Sequence, residues 1–221
     1  MARDWRNWHR KYDEPGSSLA LRLETVQQRI REALDRCPAG PIRIVSLCAG
    51  EGRDLLPVLR DHPRREDVSA RLVELDSQIA AVAAVQAQNG VGGRVQVVVG
   101  DAAVTDVYEG AVPADVVMVC GIFGNLSDDA IERTIACLPH LCAPGATVLW
   151  TRYQQSPAST STVCDWFAEH AFGEIAVSMP AGTRLVVGAH RFTGTPQPLQ
   201  KGVRMFTFRD DRTGDRWPDR S

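Results

Sequence analysis

A regular alternation of short apolar segments and amphipathic segments constrains this chain more than any other feature. Apolar segments, predicted as strands, cover residues 42–47, 71–75, 94–99, 115–120, 147–151, 174–179 and 184–190. Segments with helical spacing cover residues 18–36, 54–61, 77–88, 127–141 and 161–171. Nearly continuous apolar strands separated by helices are typical of a parallel sheet covered on both faces. The pattern predicts an α/β domain, for which 221 residues provide enough chain.

Charge and cysteine usage restrict the class of function. The chain has 25 Lys and Arg residues against 27 Asp and Glu residues, so no broad basic field is expected and a nucleic-acid partner is disfavoured. No apolar run approaches the roughly 20 residues that cross a bilayer, and the charged N-terminus lacks the apolar core of a secretory signal. The six cysteines form no C-x-x-C pair, so we expect no metal site and a reduced, cytoplasmic protein without a membrane partner.

The most informative stretch, IRIVSLCAGEGRD, covers residues 42–54. A strand runs into a turn with glycines at positions 50 and 52, and a helix follows. Glycine allows unusual backbone dihedrals and close approach of a ligand, and a helix N-terminus offers free N–H groups. Such a turn can hold a nucleotide-like ligand, although it also occurs as an ordinary strand-to-helix connection.

Two acidic residues follow at the ends of the next strands. Glu74 ends the second strand, where a carboxylate can accept hydrogen bonds from ribose hydroxyls. Asp101 follows Gly100 at the end of the third strand, where it can accept from an exocyclic amine. Each acid alone is compatible with a solvated strand end or a turn. Together with the glycine turn, they favour a ligand site at the carboxyl edge of the sheet.

This ordered pattern resembles the class I S-adenosylmethionine-dependent methyltransferases, through residues 45–54, Glu74, Asp101 and the fourth strand at residues 114–121. The resemblance implies a Rossmann-like, doubly wound, seven-stranded mixed sheet with helices on both faces and S-adenosyl-L-methionine as the cofactor. It also implies the cofactor-binding residues: Ala49, Gly50, Gly52, Asp54, Glu74, Leu75, Asp101, Ala102, Cys120, Gly121 and Phe123. Phe123 is equally compatible with a place in the core.

Two positions depart from the family pattern. The family often has an acid at the position of Ser46 and a glycine at the position of Cys48, so the contacts to the cofactor's amino group and the width of the turn are expected to differ. A nicotinamide-binding protein is a weaker alternative. The chain lacks a complete G-x-G-x-x-G, and no later residue suggests hydride transfer.

Three residues are candidates for the chemistry. The N-terminal segment carries aromatics at helical spacing, which indicate either a helix docked on the surface or a lid over the cofactor. In the second case Tyr12 meets the methionine end of the cofactor, and His9 is the candidate general base because an imidazole titrates near pH 6.5. Arg152, at the end of the fifth strand, is either a surface residue or a ligand for an acidic acceptor.

We predict three regions: an N-terminal helical cap or lid at residues 1–40, a methyltransferase domain at residues 41–210 and a polar tail at residues 211–221. With no large additional domain to bind a macromolecule, a small-molecule acceptor is favoured. The fourth strand ends in CGIFGN rather than in Asn-Pro-Pro-Tyr or Asp-Pro-Pro-Tyr, which counts against nucleobase amines and amides as acceptors. An RNA or protein methyltransferase and a non-catalytic S-adenosylmethionine-binding protein remain the alternatives.

Overall fold

The apolar segments form the strands of one sheet in the computed structural model, which describes residues 12, 14, 16–89, 91, 93–154 and 158–209. The strands are β1 (Ile42–Ser46), β2 (Val68–Glu74), β3 (Arg94–Val99), β4 (Ala114–Val119), β5 (Cys142–Tyr153), β6 (Phe172–Ser178) and β7 (Leu185–Phe192). Their order across the sheet is β3-β2-β1-β4-β5-β7-β6. β7 is antiparallel to β5 and β6, and the other neighbours are parallel. The predicted seven-stranded mixed sheet is therefore confirmed.

The described residues include five α-helices: α1 (Ser18–Arg36), which precedes β1, and α2 (Leu56–Asp61), α3 (Ser77–Gln88), α4 (Asp128–Cys137) and α5 (Thr160–Glu169), which lie between strands. Side-chain oxygens cap four of them at the N-terminus, from Ser17, Asp76, Ser127 and Ser159. Each cap accepts a hydrogen bond from a backbone N–H in the first turn that has no partner within the helix. These caps fix the residues at which the helices begin.

The helices cover both faces of the sheet, as predicted. On one face, α1 and α2 pack through Val26, Ile30 and Leu56 against Ile44 and Met118. On the other face, α4 and α5 pack against β4 and β5, and the rings of Phe123, Trp150 and Phe167 fill the space between them. Each face therefore has its own apolar core, and the sheet between them holds the strand ends in place.

Helix α1 is part of the domain core. Val26, Ile30 and Leu34 have no exposed surface and contact residues of β1 and α2. Packing is therefore continuous across residue 40, where we predicted a boundary between a cap and the main domain. The predicted tail at residues 211–221 lies outside the described residues, as do residues 1–11, 13 and 15 of the predicted cap or lid. Within the described ranges, no helix is long and apolar enough to span a bilayer.

The chain returns to the carboxyl edge of the sheet after β7. Residues 193–209, called here the C-terminal segment, contain no helix and no strand in the sheet. Met205 and Phe206 of this segment are buried in the same core as α4 and α5. The backbone N–H of Met205 donates to the carbonyl of Ala103 at 2.8 Å. The last described residues therefore lie against the loops that follow β3 and β4.

Candidate active site

A cavity of about 540 Å³ opens at the carboxyl ends of β1, β2, β4 and β5. Its lining includes most of the residues predicted to bind the cofactor: Ala49, Gly50, Asp54, Glu74, Leu75, Asp101, Ala102, Cys120 and Gly121. Tyr12 and Arg152, two of the three candidates for the chemistry, line the same cavity. A wider groove of about 790 Å³ lies at the opposite edge, near Arg43, Ser69 and Arg94, and contains no predicted site residue. The structure thus brings both sets of candidates to one place.

The glycine turn after β1 has the left-handed conformations that its sequence suggests. Gly50 and Gly52 have φ values of 58° and 75°, and Cys48 has a φ of 49°, which is uncommon for a residue with a side chain. The carbonyl of Val73 accepts the Ala49 N–H at 2.8 Å, so the turn is fixed to β2. Cys48 thus adopts a conformation that glycine, the usual family residue, adopts without strain.

The position of Gly52 requires a correction, because it faces the core and does not line the cavity. A Cβ atom at this position would lie 2.6 Å from Cδ1 of Leu56 and 3.1 Å from Cδ2 of Leu72. The residue therefore permits close packing of α2 on β2, which supports the turn from behind. We therefore assign Gly52 this packing role in place of the predicted contact with the cofactor.

Glu74 lies at the end of β2 and joins three parts of the site. Its Oε2 atom accepts the N–H of Gly50 at 2.9 Å, and its Oε1 atom accepts the N–H of Asp76 at 3.0 Å. Each carboxylate oxygen has a second lone pair, so ribose hydroxyls could still donate to it. Leu75, the next residue, is 68% exposed and lines the cavity, an unusual exposure for a leucine.

Asp101 and Ala102 follow β3. One oxygen of Asp101 accepts the N–H of Ala103 at 2.9 Å, and the other pairs with the guanidinium of Arg204 at 2.8 Å. Ala102 is buried, and its carbonyl accepts a hydrogen bond from the hydroxyl of Tyr108 at 2.7 Å. The C-terminal segment therefore orients the carboxylate that we predicted to bind adenine.

The loop after β4 forms the floor of the cavity. Gly121 has a φ of 78°, and a Cβ atom there would meet no atom within 4 Å, so its surface is open to a ligand. Its N–H donates to Oγ1 of Thr151 at 2.8 Å. Burial raises the pKa of the neighbouring Cys120 thiol well above its usual range, so this thiol is neutral. The floor is thus uncharged, which suits the approach of a reactive methyl group.

A buried ion pair forms one wall. Arg22 of α1 donates to both carboxylate oxygens of Asp54, at 2.8 and 3.1 Å, and to the hydroxyl of Tyr12 at 3.1 Å. Burial opposes the charge of Arg22, but the pair with Asp54 outweighs it and raises the pKa of Arg22. Burial also raises the pKa of Tyr12 to about 12. At neutral pH, Tyr12 is therefore a neutral phenol.

Arg152 is 2% exposed, so it is not a free surface residue. Its Nη2 atom donates to the carbonyl of Ala158 at 2.7 Å, and its Nε atom donates to the carbonyl of Tyr153 at 3.3 Å. Its Nη1 atom is buried and has no hydrogen-bond partner within the part of the chain that the structure describes. Burial lowers the pKa of Arg152, although the charge of Asp128 opposes this shift. A ligand with a negatively charged group could satisfy this nitrogen.

The position of Phe123 is a second correction. Its ring has no exposed surface and lies 5.9 Å from the ring of Trp150 and 6.4 Å from that of Phe167. The residue belongs to the core below the cavity and does not contact a ligand within it. Its neighbour Ile122 is also fully buried, so the side chains of both residues after β4 lie in the core.

Comparison with known proteins identifies the family. The sequence profile of the Methyltransf_20 family, described as “Putative methyltransferase”, matches residues 17–176. The chain belongs to this family. A search of curated proteins found no match to the methyltransferase.

Solved structures share the fold of the methyltransferase. Magnesium protoporphyrin IX methyltransferase from Synechocystis PCC 6803, with bound S-adenosylmethionine, is 10% identical with a TM-score of 0.67, and the match covers 86% of this chain and 91% of that one. A Burkholderia thailandensis 1,6-didemethyltoxoflavin-N1-methyltransferase, with bound 1,6-didemethyltoxoflavin and S-adenosylhomocysteine, is 17% identical with a TM-score of 0.63, over 86% of this chain and 85% of that one. The class I fold, the methyltransferase assignment and the S-adenosylmethionine cofactor are confirmed at the level of family and fold.

Sequence reasoning missed Arg22 as a site residue. Arg22 lies three residues after Leu19 and four before Val26, on the stripe of α1 that is otherwise apolar. A charged residue on a buried helix face usually has a buried partner, and that was the available signal. Sequence reasoning also missed the C-terminal segment, which contributes Phe208 to the cavity. His9, the predicted base of the methyltransferase, lies outside the described residues.

Within the described ranges, one group of side chains has the composition of a metal site, namely Cys164, Glu174 and His190. None of the three lines the cavity. Burial lowers the pKa of His190 to about 4, so its imidazole is neutral at pH 7. Trp150 donates to Nδ1 of that ring at 3.1 Å, which places the ring's one proton on Nε2. With this proton assignment the histidine offers no lone pair to a metal, so we assign no metal to the group, of which only His190 is buried.

Proposed function

We propose that this protein transfers a methyl group from S-adenosylmethionine to a small-molecule acceptor, which binds in the same cavity. One observation carries the proposal: residues suited to the cofactor and residues suited to an acceptor line a single cavity of about 540 Å³. This volume falls in the range of about 300–1,000 Å³ that is usual for sites of small ligands.

The residues along the edge of the sheet fit the cofactor. We propose that the glycine turn at Ala49 and Gly50 contacts its methionine part, that Glu74 accepts from the ribose and that Asp101 and Ala102 contact the adenine. Gly121 leaves open surface beside the neutral thiol of Cys120. Bound S-adenosylmethionine supplies an activated methyl group on a sulfonium.

The protein then positions the acceptor in line with the methyl group and excludes water. The floor formed by Cys120 and Gly121 is uncharged, so it does not compete with the acceptor for the cationic sulfonium. Tyr12, with its pKa raised to about 12, acts as a hydrogen-bonding group and cannot accept a proton from the acceptor at neutral pH.

Carboxylates in the described lining are already engaged. Asp54 pairs with Arg22, Glu51 pairs with Arg53, Asp101 pairs with Arg204, and Glu74 and Asp76 accept backbone N–H groups. We therefore propose that the acceptor reaches the site with its nucleophilic atom already ionised, or that His9 removes the proton. A pH-rate profile of His9→Gln separates these two cases, because a general base produces an ascending limb near pH 6.5 that the variant loses.

The direct test combines binding and transfer. Calorimetry with S-adenosylmethionine and S-adenosylhomocysteine is expected to show dissociation constants in the micromolar range, about −8 kcal/mol. Incubation with a ¹³C-methyl-labelled cofactor and fractionated metabolites is expected to yield a labelled small molecule. Cofactor binding without labelling of any small molecule would identify a binding protein, and labelling of RNA or protein instead would overturn the acceptor class. The predicted cytoplasmic location stays a prediction.

A further inference from the structure

The C-terminal segment forms a wall of the cavity, and its path is fixed by backbone hydrogen bonds at several points. The N–H of Thr105 donates to the carbonyl of Val203 at 3.0 Å, and the N–H of Arg209 donates to the carbonyl of Asn125 at 3.1 Å. Between these points, Met205 and Phe206 are buried. The segment is thus attached to the loops that follow both β3 and β4.

Phe208 is the residue of this segment that lines the cavity. It is 46% exposed, although Phe206 before it is buried and the backbone N–H of Arg209 after it is hydrogen-bonded. Its ring packs edge-on against Phe206, with 5.4 Å between ring centroids. Tyr153 and Leu185 also line the cavity, so this end of it is apolar and aromatic. A half-exposed ring held in a fixed position provides a surface on which a flat ligand ring can stack.

The same end of the cavity carries positive charge. The Nη1 atom of Arg152 is buried and has no hydrogen-bond partner among the described residues, and the charge of Arg209 also acts on Arg152. The carboxylate whose charge acts on Arg152 is that of Asp128, and one of its oxygens already accepts the N–H of Ala158 at 3.1 Å. A buried guanidinium nitrogen without a partner is costly unless a ligand oxygen completes it.

From these two observations we propose that the acceptor is a planar aromatic anion whose ring stacks on Phe208 and whose carboxylate or phenolate faces Arg152. This inference rests on the proposed function and specifies its acceptor class. Phe208 favours an acceptor with a planar ring, and Arg152 favours an acceptor with a negative charge. A saturated ring of the same size cannot stack in this way, and a neutral analogue leaves the Nη1 atom of Arg152 without a charged partner.

The test measures thermal shifts of the protein saturated with S-adenosylhomocysteine. The probes are benzoate, salicylate, indole-3-carboxylate and quinoline-2-carboxylate, with cyclohexanecarboxylate as the saturated control and benzamide as the neutral control. At least one aromatic carboxylate is expected to bind about tenfold more tightly than either control. The inference is overturned if none of the aromatic acids binds better than cyclohexanecarboxylate.

Two variants assign the preference to the named residues. Phe208→Ala is expected to remove the advantage of the aromatic acid over the saturated acid, while Phe208→Trp retains it. Arg152→Gln is expected to remove the advantage over benzamide. Because Arg152 is buried and its variant can misfold, Phe208→Ala is the deciding test, and an unchanged preference in that variant rejects the proposal. Failure to bind S-adenosylhomocysteine at all would instead reject the proposed function from which the inference starts.

Discussion

Oε2 of Glu74 accepts the backbone N–H of Gly50 at 2.9 Å, across 24 residues of sequence, and so joins the end of β2 to the turn after β1. The other oxygen of the same carboxylate accepts the N–H of Asp76. One oxygen therefore holds the turn after β1 and the other holds the loop after β2, in addition to any contact with the cofactor. The proposed ligand contact and the local fold depend on the same side chain.

Glu74→Gln is expected to weaken S-adenosylhomocysteine binding by about tenfold or more and to lower the free energy of unfolding without ligand by about 1–2 kcal/mol. The amide NH₂ would face one of the two backbone N–H groups and could not accept from it. Calorimetry and urea denaturation measure the two effects. Asp76→Asn is the matched control, because asparagine caps α3 as well as aspartate does. Equal losses in both variants would contradict the assignment of Glu74.

Removal of Arg22 and removal of Asp54, which form an ion pair, are expected to lower the free energy of unfolding by different amounts. Arg22 has a side chain that is 5% exposed, whereas that of Asp54 is 20% exposed. Asp54→Ala leaves a buried guanidinium without its carboxylate and is expected to cost about 3 kcal/mol or more, whereas Arg22→Met costs about 1–2 kcal/mol. Urea denaturation of both single variants and the double variant measures this. A double variant less stable than Asp54→Ala alone would show that the pairing is not the cause.

His190 is expected to make stability depend on pH below neutrality. Burial lowers its pKa to about 4, so between pH 4 and its usual value near 6.5 the unfolded chain binds a proton that the folded chain does not. The stability that this residue contributes is complete above pH 6.5 and is lost as the pH falls towards 4. Compared with His190→Gln, the wild type should lose about 2 kcal/mol more between pH 6.5 and pH 5. Parallel stability profiles over this range would contradict the assignment.

Gly188 is expected to tolerate no side chain. It pairs with Trp150 across β5 and β7, and a Cβ atom there would lie 2.1 Å from Cε2 of that indole. The indole packs beside the stacked rings of Phe167 and His190 and cannot move away freely, so Gly188→Ala should destabilise the protein by about 3 kcal/mol or more in chemical denaturation. Gly173→Ala is the control, since its nearest neighbour would be 3.9 Å away. Trp150→Phe should recover part of the loss if the clash is its cause.

Local patterns predicted much of the fold. Helix α1 was predicted at its observed bounds because its apolar spacing is regular and Pro38 follows it closely. Helix α4 was predicted to reach Leu141 but ends at Cys137, where a 3₁₀ turn containing Pro139 takes over. Proline cannot donate the backbone hydrogen bond that an α-helix requires, and apolar periodicity alone does not reveal that limit.

Strand β5 was predicted to be shorter than it is. Residues 147–151 have the pattern of a buried strand, but the strand runs from Cys142 to Tyr153. Its first residues include Pro144 and Gly145, which usually interrupt strands, and the pairing with β4 is irregular there. These first residues belong to the strand because they pair with β4. The register of that pairing cannot be read from a single sequence.

The residues of the site also divide into those that local sequence patterns predict and those whose positions depend on the tertiary fold. The location of Glu74, Asp101 and Gly121 at the cavity could be predicted because each lies at or just after the end of a strand, and parallel strands end at one edge. The contact between Arg22 and Asp54 joins residues 32 positions apart and depends on the tertiary fold. The inward orientation of Phe123 depends on the turn that precedes it. Side chains whose position depends on a distant partner are thus the ones that the sequence pattern could not locate.

The C-terminal segment has a consequence for the order in which the protein becomes active during synthesis. Its residues leave the ribosome after all seven strands, yet Phe208 lines the cavity and Arg204 orients Asp101. A nascent chain that has completed its sheet therefore still lacks Phe208 as part of the cavity lining and Arg204 as the partner of Asp101. We expect the cavity to be complete only after residue 209 has left the ribosome and the C-terminal segment has docked.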